Sequence, residues 1–302
     1  MRLVEMPSRP LAGSEVRVAV EAAGVNPVDA GNRADPTWAG LVTPYVVGYE
    51  FAGRVVEVDE LVNDLRVGDA VWGLLPVRGT RWGAYAGEVV ADERLVALRP
   101  ASLEIAEAAA LPLAGATALQ LLDRLDPAPG EWILVHGAAG GVGHVFVQLA
   151  HARRARIAAP ASSARHALLR QLGVSVIVDR HQPDAIQAAR DQAGTDFAMV
   201  ADLVGQGRLV ASMDIIAEGG RGGSIVELAG NLEEAVDRNI TLHGVLMQPG
   251  RDVLRALGTL TEAGHVRPVL DEVLPLEQVR RAHERVETGS GQGKIVLTVA
   301  GG

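Results

Sequence analysis

Early in the chain, apolar and polar positions alternate. Glu15-Val16-Arg17-Val18-Ala19-Val20 and Gly53-Arg54-Val55-Val56-Glu57-Val58 follow a period of two, the pattern of half-buried strands. Gly, Pro and Asp punctuate such runs, as in Val67-Gly68-Asp69, so residues from about 14 to 100 read as an all-β unit. From about residue 105 the pattern changes to strand, helix, strand, helix. Trp132-Ile133-Leu134-Val135 is a short buried-strand run. Between Gly141 and Arg153, the residues Val142, Val145, Phe146 and Leu149 share one helical face. A second pair follows, a strand over 156–159 and a helix over 162–172 stopped by Gly173. Further strands are expected at 174–178, 197–203, 224–228 and 242–247. Alternation of this kind predicts an α/β, doubly wound parallel sheet. After about residue 265 short strands return, at 269–274 and 294–299, around one helix over 276–288. A β-rich start, an α/β middle and a short β tail predict that the tail rejoins the first domain. The expected division is 1–106 with 266–302, and 107–265 between them.

Length agrees with two domains, since 302 residues exceed what one core usually holds. Composition removes several functions. There is no cysteine, which excludes disulfides, thiolate nucleophiles and cysteine-liganded zinc or iron–sulfur centres. A net charge of −9 argues against a general nucleic-acid binder. The most apolar long window, 105–122, contains Glu107, Pro112 and Gly115, so no membrane span is expected. Glu5 and Pro7 interrupt the start before any apolar run forms, unlike a secretory signal. A soluble, cytoplasmic protein is the expectation.

Gly137-Ala138-Ala139-Gly140-Gly141-Val142-Gly143 carries the strongest chemical signal, because it lies between a predicted strand and a predicted helix. Dinucleotide binding needs glycines there for a tight turn, close backbone approach to the pyrophosphate and helix–sheet packing. The helix N-terminus then offers N–H groups to the phosphates. Charge indicates which dinucleotide. NAD-binding folds usually place an acid about 20 residues on, to hold the ribose 2′-hydroxyl. Here the second strand runs into Ala159-Pro160-Ala161-Ser162-Ser163, and residues 132–178 contain no Asp or Glu at all. The same stretch holds Arg153, Arg154, Arg156, Arg165 and Arg170. An extra phosphate would gain most from such a field. Ser162, Ser163, Arg165 and Arg180 are the candidates to hold it, with simple helix capping as the plain alternative for the serines. NADPH is favoured over NADH.

Several motifs together resemble the medium-chain dehydrogenase/reductase superfamily. They are Gly24-Val25-Asn26-Pro27-Val28-Asp29, Gly48-Tyr49-Glu50-Phe51-Ala52-Gly53, Gly68-Asp69, Leu111-Pro112-Leu113-Ala114-Gly115-Ala116-Thr117-Ala118, the glycine turn, and the closing Gly293-Lys294-Ile295-Val296-Leu297. The similarity is greatest to the zinc-independent quinone oxidoreductases, the zeta-crystallin-like branch. The resemblance implies a GroES-like β domain built from both chain ends, a Rossmann domain in the middle, and a cleft between them. It also implies a homodimer or homotetramer. Relatives usually carry one more strand before the segment that here begins Met1-Arg2-Leu3; either the start is naturally short, which would leave the β domain without an edge strand, or the coding start is misplaced. Zinc-dependent relatives use cysteines and a Gly-His-Glu where this chain has Gly48-Tyr49-Glu50. Without cysteine, and with Tyr for His, that tetrahedral site cannot be assembled.

Without a Lewis acid an alcohol is a difficult substrate, whereas an electron-poor conjugated acceptor takes hydride as a delocalised anion. The expected reaction is hydride transfer from NADPH to a quinone or α,β-unsaturated carbonyl, with a proton from tyrosine or water. The rival readings are an enoyl reductase of a thioester or polyketide-type intermediate, and a non-catalytic NADPH-binding protein of crystallin or sensor type. By resemblance, Asn26 contacts the nicotinamide ribose or a substrate oxygen, with an Asn-Pro turn as the plain alternative. Tyr49 stands where the zinc ligand would be and is a candidate donor or a buried core tyrosine. Thr117 lies beside the nicotinamide, and Ala139, Gly140, Gly141 and Val142 touch the pyrophosphate. Leu228 and Ala229 follow a strand end under the cofactor, while Met247 and Gln248 flank the nicotinamide. Many relatives line the substrate pocket with tyrosines shortly after the Asn-Pro motif. Residues 30–38 have none here, leaving Trp38 as the aromatic candidate.

Overall fold

The computed structural model describes residues 1–299. In chain order it begins with strand β1 (Glu15–Val25), helix α1 (Pro27–Ala34), and strands β2 (Glu50–Val58), β3 (Ala70–Leu74), β4 (Glu88–Asp92) and β5 (Val96–Leu98). Helices α2 (Ile105–Ala110) and α3 (Pro112–Leu125) follow. The middle of the chain forms β6 (Trp132–His136), α4 (Gly143–Ala152), β7 (Arg156–Ala161), α5 (His166–Gln171), β8 (Val176–Asp179) and α6 (Ala185–Ala193). It continues with β9 (Phe197–Asp202), β10 (Ile216–Ser224), α7 (Glu233–Asp237) and β11 (Thr241–Gly244). Last come α8 (Arg251–Glu262), β12 (Leu270–Pro275), α9 (Val279–Glu287) and β13 (Lys294–Thr298). Two compact units result, one holding residues up to Ala116 and from Gln248 on, the other Thr117–Met247.

The first unit is organised by β1. One edge of β1 pairs with β2 along most of its length. Its other edge is shared, Glu15–Ala19 with β4 and Ala22–Val25 with β13. Strands β3 and β5 extend the sheet beyond β2, and β12 adds parallel to β13. The chain's end is therefore hydrogen-bonded into its beginning, as the β-rich tail predicts. Gly24 has a local reason. A Cβ there would come within 2.2 Å of Glu50 Oε1 and 2.5 Å of the Ala109 carbonyl, so only glycine leaves room for the buried acid.

The second unit is a six-stranded sheet in the order β11-β10-β9-β6-β7-β8, every pairing of which is parallel. β6 is where the strand order reverses, and in open parallel sheets ligands bind beyond the strand C-termini at that point. Trp132, Phe197, Val200, Leu209, Met213 and Ile216 belong to a buried apolar cluster. Trp132 meets Phe197 edge-on with ring centroids 6.3 Å apart.

Some elements differ from the sequence reading. The strand expected over 224–228 is displaced: β10 ends at Ser224, whose Oγ accepts from the backbone N–H groups of Val226 and Glu227 and turns the chain out of the sheet. β10 itself includes Gly219-Gly220-Arg221-Gly222-Gly223, so after Ile216 it carries no β-branched signal. The single helix over 162–172 is a one-turn 3₁₀ segment, Ser163–Arg165, followed by α5. The Asn-Pro stretch starts the two-turn helix α1, with Pro27 in the first-turn position that suits proline. Helix α8 lies before residue 265 in sequence yet clusters with the first unit. Arg251 at its start donates from Nε to the Val96 carbonyl (2.9 Å) and pairs with Asp64 and Glu93. Among the described residues no helix is long and apolar enough to cross a membrane.

Candidate active site

The glycine turn joins β6 to α4. Gly137 takes φ +80°, a conformation that favours glycine. A Cβ on Gly143 would lie 2.0 Å from the Gly137 carbonyl oxygen, so the first residue of α4 is pressed against the turn. Ala139 is buried, while Gly140, Gly141 and Val142 are half-buried along the turn. No side chain caps α4, whose N-cap position is Val142. The N–H groups of His144 and Val145 donate to the Gly140 and Val142 carbonyls (3.1 and 3.2 Å), which leaves those of Gly141, Val142 and Gly143 as the ones an anion could use.

At the ends of the two neighbouring strands the chain gathers the residues proposed for an extra phosphate. Ser162 follows β7 directly, and its side chain makes no capping bond, so the plain capping role is not realised there. Arg180 follows β8, and its backbone N–H donates to the Ala161 carbonyl (3.1 Å), which brings it beside Ser162. Ser163 and Arg180 are exposed and Arg165 is half-buried.

Leu228 and Ala229 are exposed in the irregular segment after β10; Met247 is buried and Gln248 exposed beyond β11. Thr117 is buried on α3. Two polar residues at the switch point carry no sequence signal of their own. Asp202 ends β9 opposite His136, and its Oδ1 accepts from the N–H groups of Val204 and Gly205, both at 2.9 Å. His136 Nε2 lies 2.8 Å from Ser212 Oγ, and burial pushes the imidazole down to about 4, so it is neutral.

The first unit contains a buried polar group built around Asn26. Lys294 donates from Nζ to the Val25 carbonyl (3.0 Å), Asn26 Oδ1 and Glu50 Oε1 (2.7 Å). Asn26 Nδ2 donates to the same Glu50 Oε1 (2.7 Å), and Glu50 Oε2 accepts from the Leu113 N–H (2.7 Å). Asn26 precedes α1, yet its amide is drawn off to Glu50 and Lys294 instead of capping the helix. Asp29 returns the other half of the cap, accepting the Asn26 backbone N–H at 2.7 Å.

Tyr85 donates to Asp29 Oδ2 (3.0 Å), and the Tyr85 ring stands edge-on to His283, 5.8 Å between centroids. Burial raises the Asp29 carboxyl to about 7, against the hydrogen bond from Asn26. Burial lowers His283 to about 4, and neither of its ring nitrogens has a hydrogen-bond partner. Tyr49 is fully buried; its hydroxyl accepts from Asn32 Nδ2 (2.6 Å), and burial pushes it up to about 12. Of the two residues proposed for chemistry, the structure thus sets Asn26 in an ionic network and Tyr49 against Asn32. Sequence reasoning assigned no role to Asp29, Asn32, Tyr85, His283 or Lys294, which come from separate parts of the chain. The motifs Gly24–Asp29 and Gly293–Leu297 contained two of them, Asp29 and Lys294, without giving either a role.

The ligand set fails a tetrahedral zinc site. Glu50 is spent on Lys294, Asn26 and a backbone N–H, and among the described residues no three His, Asp or Glu side chains are grouped to hold a metal.

Residues 12–101 match the alcohol dehydrogenase GroES-like domain family and residues 172–297 the zinc-binding dehydrogenase family. The chain is 35% identical to a 2-methylene-furan-3-one reductase of Solanum lycopersicum, over 94% of this chain and 71% of that protein. It is 34% identical to a chloroplastic NADPH-dependent alkenal/one oxidoreductase of Arabidopsis thaliana, over 94% and 72%. The solved quinone oxidoreductase of Coxiella burnetii superposes with a TM-score of 0.89 at 31% identity, covering 99% of this chain and 94% of that one. The chain belongs to the medium-chain dehydrogenase/reductase superfamily, in its quinone oxidoreductase family.

Proposed function

We propose that the protein is an NADPH-dependent, zinc-independent reductase of quinones or α,β-unsaturated carbonyl compounds. The observation that carries the reading is the β6–α4 turn, closed on Gly137 and Gly143, with serine and arginine side chains at the ends of the neighbouring strands. The acceptor class is supported by the two plant relatives, a 2-methylene-furan-3-one reductase and an NADPH-dependent alkenal/one oxidoreductase. Bound NADPH would supply hydride.

The chain's own residues bind, orient and donate protons. Ala139, Gly140, Gly141 and Val142 would line the pyrophosphate, with the Gly141 and Val142 N–H groups turned to it. Ser162, Ser163, Arg165 and Arg180 would hold the 2′-phosphate. Thr117, Leu228, Ala229, Met247 and Gln248 would surround the nicotinamide end. Asn26 would hydrogen-bond the reacting oxygen or the adjacent ribose, and Tyr49 or water would return the proton. Hydride addition to a conjugated acceptor places negative charge on its oxygen, so a positioned donor there suffices without a Lewis acid. The β-rich unit is read as the catalytic domain and the parallel-sheet unit as the cofactor domain, in a cytoplasmic homodimer or homotetramer.

The test is NADPH oxidation with a panel of quinones, enones and enoyl thioesters. Turnover with the first two classes is expected. Turnover confined to thioesters would replace this reading with an enoyl reductase. Tight NADPH binding without oxidation of any acceptor would make the protein a binding module.

A further inference from the structure

Lys294 is the only lysine in the sequence, against a full complement of arginines. It is also buried, 2% exposed, at the start of β13. An ammonium only donates and a carboxylate only accepts. With Lys294 Nζ on Asn26 Oδ1 and Glu50 Oε1 on Asn26 Nδ2, the Asn26 amide has one permitted orientation. Turning it over would set its N–H groups against the ammonium and its carbonyl against the carboxylate. Nδ2 carries two hydrogens. One goes to Glu50, and the other has no partner among the described residues.

We infer that Lys294 is a positioning residue: with Glu50 it fixes the Asn26 amide so that Asn26 offers an N–H, and never a carbonyl, to the oxygen of the acceptor. The inference rests on the proposed contact between Asn26 and the reacting groups. It specifies that contact as donation, which suits an oxygen gaining negative charge during hydride addition. Arginine could not take this place. Its planar fork cannot converge on three acceptors around one nitrogen in a space shaped for a single ammonium.

The experiment compares three variants of the full chain, with NADPH and a simple enone such as 3-penten-2-one. Asn26→Ala removes the donor. Glu50→Gln with Lys294→Met removes the charges together, so no buried ion is orphaned, and leaves the amide free to invert. The triple variant joins both changes. The expected result is a fall in kcat of about 10²-fold for Asn26→Ala and for the Glu50/Lys294 pair alike. In the pair, KM for NADPH and the thermal midpoint should stay near those of the parent. The triple variant should be no slower than Asn26→Ala alone.

A Glu50/Lys294 pair with parental kcat, or losses that multiply in the triple variant, would overturn the inference. Parental kcat in Asn26→Ala would instead defeat the underlying assignment of Asn26. Should the paired variant not fold, Glu50→Gln with Lys294→Gln serves with the same readouts, because it too removes both charges and frees the amide while keeping polar partners at the site.

Discussion

Lys294 Nζ lies 2.7 Å from Glu50 Oε1 with both side chains out of solvent, joining the last strand of the chain to β2. Removing one member of a buried pair leaves an uncompensated charge, at a cost of about 3–5 kcal/mol. Lys294→Ala should lose that much in urea unfolding. A loss below about 1 kcal/mol, the range of an exposed pair, would show the pair to be solvated. Amine-directed labelling offers an independent check, since Lys294 should be modified only after denaturation.

His283 is buried with two unpartnered ring nitrogens against the edge of Tyr85. Replacing an unsatisfied buried polar ring with an apolar one of similar shape should be neutral or stabilising, by about 1–3 kcal/mol. The folded-state value near 4 is below the ordinary 6.5. The unfolded chain therefore takes up the proton first, and stability is lost as pH falls from 6.5 towards 4. His283→Phe should remove that part of the acid sensitivity. Thermal melts of both proteins between pH 4 and 7 decide the matter, and parallel curves would contradict the burial argument.

Asp29 has the opposite sign. Its folded value near 7 is above the ordinary 3.8, so the unfolded state ionises first and stability falls as pH rises from about 4 to about 7. Asn cannot ionise and keeps an oxygen for Tyr85 and the Asn26 N–H. The advantage of Asp29→Asn over the parent should grow across that window and level off above it. An advantage independent of pH would mean that Asp29 is ionised throughout.

Gly143→Ala adds a Cβ 2.0 Å from the Gly137 carbonyl oxygen, a backbone atom that cannot swing aside. The turn must open, at a cost of about 1–3 kcal/mol by analogy with overpacking. Calorimetric NADPH affinity should fall at least tenfold. Unchanged affinity would detach the glycine turn from the cofactor.

Arg165→Asp together with Arg180→Asp tests the 2′-phosphate assignment. Charged hydrogen bonds are worth about 1.5–3 kcal/mol each, so NADPH affinity should fall by tenfold or more while NADH affinity moves little. Equal losses for the two cofactors would place both arginines elsewhere.

The sequence already determined the class of fold. Period-two runs, the strand–turn–helix grammar around Gly137–Gly143 and the β tail predicted a β unit closed by the chain's end and a parallel sheet, because those features depend on neighbours in sequence. The acid-free stretch also pointed to Ser162 and Arg180, and only the pairing of β7 with β8 brings them together. Strand ends made by side chains were not legible. Ser224 stops β10 with its own hydroxyl, and the glycines within β10 hide the strand.

Tertiary structure alone decided the surroundings of Asn26. The Asn-Pro motif suggested a helix cap or a catalytic amide. What fixes its orientation is one ammonium 268 positions away and one carboxylate 24 positions away. Buried charges settle where opposite charge and spare lone pairs converge, and no local pattern of residues records that convergence.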